Sequence, residues 1–330
     1  MFAGQRRRQQ VRVGAGGATP TQPQLQEDLV AGIAAGDLRL QHQPIVSLAD
    51  DEVVGVESLV RWQHPTLGLL QPAAFIPWAE RSDLIVDVGI WVIDEACRQA
   101  AAWRADGRRL QVSVNIGARH VEDPRLVATV EGSLAMHGVD PASLCIEITE
   151  AVPLTGSEPA LARVQELRRL GVRVALDDFG TGCSSLGVLS RMEVDELKVD
   201  RLFVSGLHTE DRANHAVVAA VVAMAGSLGL DVVAEGIETA AQLRELRALA
   251  CPFGQGYLYE RPMAAADLAG WLDERAIRRR TVPMTASVPA NTVATDVTER
   301  FTPRGDRDGA TRLPLESPLG RGVRLVSATG

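Results

Sequence analysis

Short apolar runs and amphipathic stretches alternate along most of this chain, and most of the apolar runs stop on an acid or an amide. The runs cover 38–48, 53–62, 110–116, 144–148, 172–176, 194–199, 231–234 and 252–255. Apolar residues at three- and four-residue spacing predict helices over 83–104, 124–137, 157–170, 211–228, 239–249 and 264–271. Gly171 and Gly229 stand where glycines close helices. Such alternation builds a parallel sheet, open or closed. The first two strands are separated only by Ala49–Glu52. That is too short for a parallel crossover, so this pair is expected to be an antiparallel hairpin.

Charge divides the chain into three parts. Residues 1–24 carry Arg6, Arg7, Arg8 and Arg12 and no acid. Residues 276–330 are rich in Pro, Thr, Gly and Arg, with 9 arginines against 5 acids. Neither shows periodicity, and both are expected to be disordered tails. The whole chain sums to −8, so the stretch 25–275 must hold −16. Its length is close to the roughly 250 residues of a (β/α)₈ barrel. The longest uncharged apolar stretch, Ala216–Leu230, falls short of the roughly 20 residues that span a bilayer. The N-terminus has no apolar signal core. Cys97, Cys145, Cys183 and Cys251 lack metal-ligand spacing. A cytoplasmic protein with reduced thiols and no membrane span is the expectation.

The strand ends carry the chemistry. Glu57 lies on the second run, Asn115 ends the third and Glu147 sits on the fourth. Asp177 and Asp178 end the fifth, Lys198 and Asp200 the sixth, Glu235 the seventh and Gln255 the eighth. Successive intervals of 20 to 58 residues correspond to about one strand–helix unit each. A barrel brings these ends to one face, so the residues are expected to share a cleft. So many carboxylates need protons or cations among them. Oxygen donors without His or Cys suit Mg²⁺ or Mn²⁺ rather than Zn²⁺. Adjacent carboxylates at Asp177 and Asp178 suit a two-metal site for in-line phosphoryl displacement. Each residue alone also has an ordinary role, as an edge acid, a turn amide or a helix cap. Their joint placement favours chemistry.

In order, the chain reads HQPIV (42–46), GVESLVRWQHP (55–65), SVNIG (113–117), IEITE (146–150), LDDFGTGCSSL (176–186), DELKVD (195–200), AEGIET (234–239) and QGYLYERPM (255–263). These motifs resemble the EAL-domain phosphodiesterases, over about Leu25 to Trp271. The resemblance implies a (β/α)₈ TIM-like barrel with an antiparallel first strand. It implies hydrolysis of cyclic di-GMP to linear pGpG with two Mg²⁺ or Mn²⁺ ions. Glu57, Asn115, Glu147, Asp177, Asp178 and Glu235 match metal-site residues. Lys198 matches the lysine that orients or deprotonates the attacking water, alongside Glu57 and Glu235 as catalytic acids. Gln43 and Arg61 match dinucleotide contacts, and Asp200 and Gln255 match polar residues of the same site. Glu150 and the stretch Phe179, Gly180, Thr181 and Gly182 match a loop that couples the site to a homodimer. The implied partners are cyclic di-GMP and a second copy of the chain, with no nucleic-acid polymer.

Five positions depart from the usual pattern: Ser58, Gly117, Cys183, His42 and Pro252. None removes a metal ligand, and Ser58 is expected to point away from the face of Glu57. A binding-only receptor for cyclic di-GMP, acting through a protein partner, is the alternative. Such receptors usually lack a site residue, and this chain lacks none. A Schiff-base aldolase would need a desolvated lysine with basic phosphate sites, and Lys198 falls among acids instead. Of the 34 basic residues, 33 are arginine, and Lys198 is the single lysine. Arginine is wider, planar and always charged, a poor substitute beside an attacking water.

Overall fold

A computed structural model describes residues 22–149, 158–180, 189, 192–207 and 212–281, with the backbone alone for 22–23 and 277–281. Glu150, Thr181, Gly182, Cys183 and most of both expected tails lie outside the described residues. Among the described residues nine strands form one sheet: β1 Leu38–Ser47, β2 Val53–His64, β3 Gly68–Leu70, β4 Gln111–Ile116, β5 Leu144–Thr149, β6 Arg173–Phe179, β7 Glu196–Val199, β8 Asp231–Ala234 and β9 Phe253–Gly254. Their order is β1-β9-β8-β7-β6-β5-β4-β2-β3, and a further β1–β2 pairing closes eight of them into a barrel. β3 hangs on the far end of β2, Trp62 opposite Leu70.

β1 runs antiparallel to both its neighbours, β2 and β9, while the other barrel pairs are parallel. The short turn after β1 enforces this reversal. It holds Asp51 at φ 63°. The Arg247 guanidinium clamps it, donating to the Leu48 carbonyl and to the Asp51 carboxylate, each at 2.8 Å.

Strand alternation sorts the side chains into two layers. Val112, Val114 and Ile116 of β4, Ile146 and Ile148 of β5, and Leu197 and Val199 of β7 face outward. They pack with helical residues such as Ile93, Leu134, Leu167 and Val218 in one buried cluster. Each such side chain contributes about 1.5–3 kcal/mol by leaving water. The alternate residues face the barrel axis, where Ile45, Val233 and Phe253 form a separate apolar plug. Polar layers lie above and below that plug.

The expected helices are present: Leu84–Ala105, Leu126–His137, Glu158–Arg169, Arg212–Leu228 and Ala240–Ala248. Ala240–Ala248 opens on a capping box in which Thr239 and Gln242 satisfy each other's backbone N–H. Gly171 and Gly229 both have positive φ past helix ends. The last helix is longer than the apolar pattern predicts, Ala265–Thr281. Its polar continuation is held by Arg108 on Asp273 at 2.8 Å and by Arg275 over the Trp271 ring at 5.2 Å. The structure adds helices Gln22–Ala35, Pro72–Ala79, Ala118–Glu122 and Arg201–Ser205. No helix among the described residues is long and apolar enough to cross a membrane.

Candidate active site

The strand ends meet around one ammonium. Lys198 is fully buried, and its Nζ lies 2.6 Å from Glu147 Oε2 and 2.7 Å from Glu235 Oε1. Glu57 Oε2 and Asp177 Oδ1 follow at 3.6 and 3.8 Å. Register explains the convergence. Asn115 pairs with Glu147, Thr149 with Asp177 and Lys198 with Val233, so inward positions climb with the tilt of the barrel.

Two amides tie the carboxylates together. Asn115 Nδ2 donates to Glu57 Oε1 at 2.6 Å, and Gln255 Nε2 donates to Glu57 Oε2 at 2.6 Å and to Glu235 Oε1 at 3.3 Å. Gln255 is itself held by backbone pairing, its N–H to the Ala234 carbonyl and its carbonyl from the Ile237 N–H. Gly256 beside it abuts the Ile237 backbone so closely that a Cβ would come within 2.2 Å.

The pairing of β6 with β7 shifts register between Leu176 and Phe179. Bulges of this kind re-aim side chains. Asp178 sits there at φ 57°, and its N–H donates to Asp177 Oδ1 at 2.8 Å. Consecutive residues of a regular strand would face opposite sides. The bulge instead leaves Asp177 toward Lys198 and Asp178 toward Asp200, whose charge and hydrogen bond raise it. Asp200 also caps helix Arg201–Ser205, accepting from Leu202 N at 2.7 Å.

Charge in this cluster is out of balance. Burial lowers the proton affinity of Lys198, but Asp177, Glu147, Glu235 and Glu57 outweigh it, so the ammonium is held well above its ordinary pKa. Burial raises Glu57, yet Lys198 and the two amides bring it below the usual carboxylate value. Glu147 is driven well above that value, chiefly by burial. Glu235 rises to about 8, by burial and then by Asp177 and Glu57 against Lys198. Asp178 rises to about 6, by burial, Asp177 and Asp200. One lysine cannot neutralise this set, and protons supply the remainder.

The donor chemistry fits hard divalent cations. All the candidate ligand atoms are oxygens. Glu147 Oε1 is buried without a hydrogen-bond partner, so it has capacity to spare. Among the described residues no three His, Cys, Asp or Glu side chains stand as a ready-made cage. The carboxylates as placed close on the lysine instead, and the fit is one of chemistry and charge.

Gln43 and Arg61 stand apart from this ring. Gln43 lies opposite Glu57 in the hairpin, and its Nε2 donates to the Glu260 carbonyl at 3.1 Å. Arg61 is 4 % exposed, and its pKa is pushed down by burial against the pull of Glu57 and Tyr257. Its Nε donates to Gln41 Oε1 at 2.8 Å. Gln41 was not among the residues singled out by the motifs, although it shares the inward face of β1 with Gln43 by simple alternation. Ser58 points to the other side of β2 from Glu57, as expected. Its Oγ lies 3.0 Å from His42 Nδ1.

The strand ends of this barrel thus gather acids, amides and one lysine into a single cluster. The model of the EAL domain matches residues 24–262, and the chain belongs to that family. It is 41% identical over 249 residues to the bifunctional diguanylate cyclase/cyclic di-GMP phosphodiesterase MucR of Pseudomonas aeruginosa, covering 75% of this chain and 36% of that protein. It is 41% identical over 261 residues to the cyclic di-GMP phosphodiesterase NbdA of the same organism, covering 79% and 33% respectively. The chain thus spans about a third of the length of these curated relatives. Among solved structures it resembles the PaMucR phosphodiesterase in its c-di-GMP complex, with TM-score 0.71 and 41% identity over 74% of this chain and 99% of that one. The EAL enzyme Bd1971 bound to cAMP and cyclic di-GMP is similar at TM-score 0.72 and 30% identity, over 76% and 69%.

Proposed function

We propose that this chain hydrolyses cyclic di-GMP to linear pGpG in a reaction that depends on Mg²⁺ or Mn²⁺. The observation that carries this reading is the completeness of the cluster: four strand-end carboxylates lie within 3.8 Å of the Lys198 ammonium. Glu57, Asn115, Glu147, Asp177, Asp178 and Glu235 are the residues that would hold two ions, whose charge when bound stabilises the attacking and leaving oxygens.

The chain's own residues do the rest. Lys198, within hydrogen-bond reach of Glu147 and Glu235, orients or deprotonates the attacking water. As the water's oxygen bonds to phosphorus, the bond to the 3′ oxygen breaks, and the proton given up by the water is delivered to that oxygen, which leaves as a hydroxyl. A basic group of the cluster carries that proton between the two oxygens. Gln255 and Asn115 keep Glu57 from rotating out of this arrangement. Arg61 offers a planar fork to a phosphate, and Gln43 and Asp200 line the dinucleotide site. Glu150 and the stretch Phe179–Gly182 would couple this site to a second copy of the chain.

The test is incubation of the purified protein with cyclic di-GMP and either metal, following pGpG by chromatography. Turnover that stops on chelation is the expected result. Retained ligand binding without turnover in either metal would overturn the enzyme reading in favour of a receptor.

A further inference from the structure

We propose that Gln41 is a positioning residue that sets the guanidinium of Arg61 for one phosphate of the cyclic dinucleotide; this rests on the function proposed above. Arg61 is almost wholly buried at the far end of β2, four residues beyond Glu57 on the same face. A buried arginine must be told where to point, because its five N–H groups and several rotatable bonds allow many orientations. Two contacts do this. Gln41 Oε1 takes the Nε–H at 2.8 Å, and the Val60 carbonyl takes an N–H of Nη1 at 2.9 Å.

Those two bonds leave three of the five N–H groups, enough for an end-on fork on a single phosphate. They also occupy Nε, which removes the side-on mode of binding. Gln41 is neutral, and that matters. A carboxylate at the same place would satisfy Nε equally well but would cancel the charge that the phosphate is to meet. Gln41 also lies two residues from Gln43 on β1, so one strand face supplies both a dinucleotide-site residue and the support for another. Holding the fork in advance removes an ordering cost from binding, and its loss falls on affinity rather than on the chemical step.

The test is a double-mutant cycle with a spectroscopic arm. Gln41→Ala is expected to raise KM for cyclic di-GMP roughly 10-fold, the loss of one hydrogen bond to a charged group, with kcat within about twofold. In the Arg61→Ala background the same change is expected to have no further effect. Gln41→Glu is expected to keep the fold and the Nε contact and still weaken binding. In ¹⁵N-arginine spectra the Arg61 Nε–H, assigned by its loss in Arg61→Lys, is expected to exchange slowly in the parent and fast in Gln41→Ala. An unchanged Nε–H exchange rate in Gln41→Ala would overturn the inference whatever the activity. So would an equal loss of affinity with Arg61 absent. A parent protein that neither binds nor turns over cyclic di-GMP, but whose Nε–H responds to Gln41→Ala, would defeat the function and leave the positioning standing.

Discussion

The two ends of the barrel both bury a cation among acids, and they do it differently. At the end where β7 finishes, Lys198 faces Glu57, Glu147, Asp177 and Glu235. At the end where the strands begin, Arg173 of β6 meets Asp231 at 2.8 Å and Glu196 at 3.8 Å. There the charges nearly balance. Burial brings Glu196 to about 7 against the pull of Arg173, with Asp231 adding to the rise. Below it, Asp195 accepts from Arg168 and from the Val174 N–H, which finishes the layer with ordinary partners. The starting end is a settled ionic plug. Among the described residues the finishing end carries an acid surplus that no other side chain cancels, and it is here that the function proposed above would place its cations.

The largest effect expected from breaking this contrast is at Glu57. Glu57→Gln should lower kcat/KM for cyclic di-GMP by more than about 100-fold while leaving the urea midpoint near that of the parent. It should also abolish the stabilisation by Mg²⁺ expected of the parent, which is about 2.7 kcal/mol at a hundred times Kd. Lys198→Arg should not restore the activity lost in Lys198→Ala, because the fork is too wide for a place closed on a single ammonium; recovery of the parent rate in Lys198→Arg would contradict the role given to the lysine.

At the other end the effects move to stability. Arg173→Ala leaves Glu196 and Asp231 buried without their cation and should cost about 3–5 kcal/mol in chemical denaturation, with kcat per folded molecule unchanged. Glu196 supplies a pH test. Its folded pKa is raised from 4.5 to about 7, so its favourable contribution is complete below pH 4.5 and is lost as pH rises through 7. Glu196→Gln should therefore gain on the parent by about 3 kcal/mol between those limits, read as the difference between two urea curves at each pH. The smallest effect belongs to Ser58. Ser58→Ala removes one hydrogen bond to His42 on the outer face and should cost about 1 kcal/mol with no change in kcat.

Much of this was readable from the residues. The strands and their closing acids follow from alternation, and the reversed first strand follows from a turn too short to cross over. Other features depend on tertiary partners. The last helix runs beyond its apolar periodicity because Asp273 and Arg275 find partners elsewhere, on Arg108, on the Asp51 carbonyl and on the ring of Tyr259. Three-residue β3 and helix Ala118–Glu122 are too short for any period to register. Asp177 and Asp178 read as a turn or a metal pair; only a register shift with a left-handed residue sends them to separate neighbours. Gln41 was silent because a glutamine on an amphipathic strand looks like any other surface amide until Arg61 is found lying against it. The Arg173 layer was silent because inward charges at strand starts have no motif.

The reversal of β1 also fixes where the chain enters. Leu38 pairs with Trp62 beyond Glu57 on β2, so β1 begins at the rim that holds the acids and ends at the rim that holds Arg173. Had β1 run parallel, upstream sequence would arrive at the opposite mouth. Instead helix Gln22–Ala35 delivers the chain to the chemical rim, with His64 on Asp28 at 3.3 Å fastening it to the end of β2. From Gln22 to the cleft the path is one helix, and the length of the barrel does not intervene.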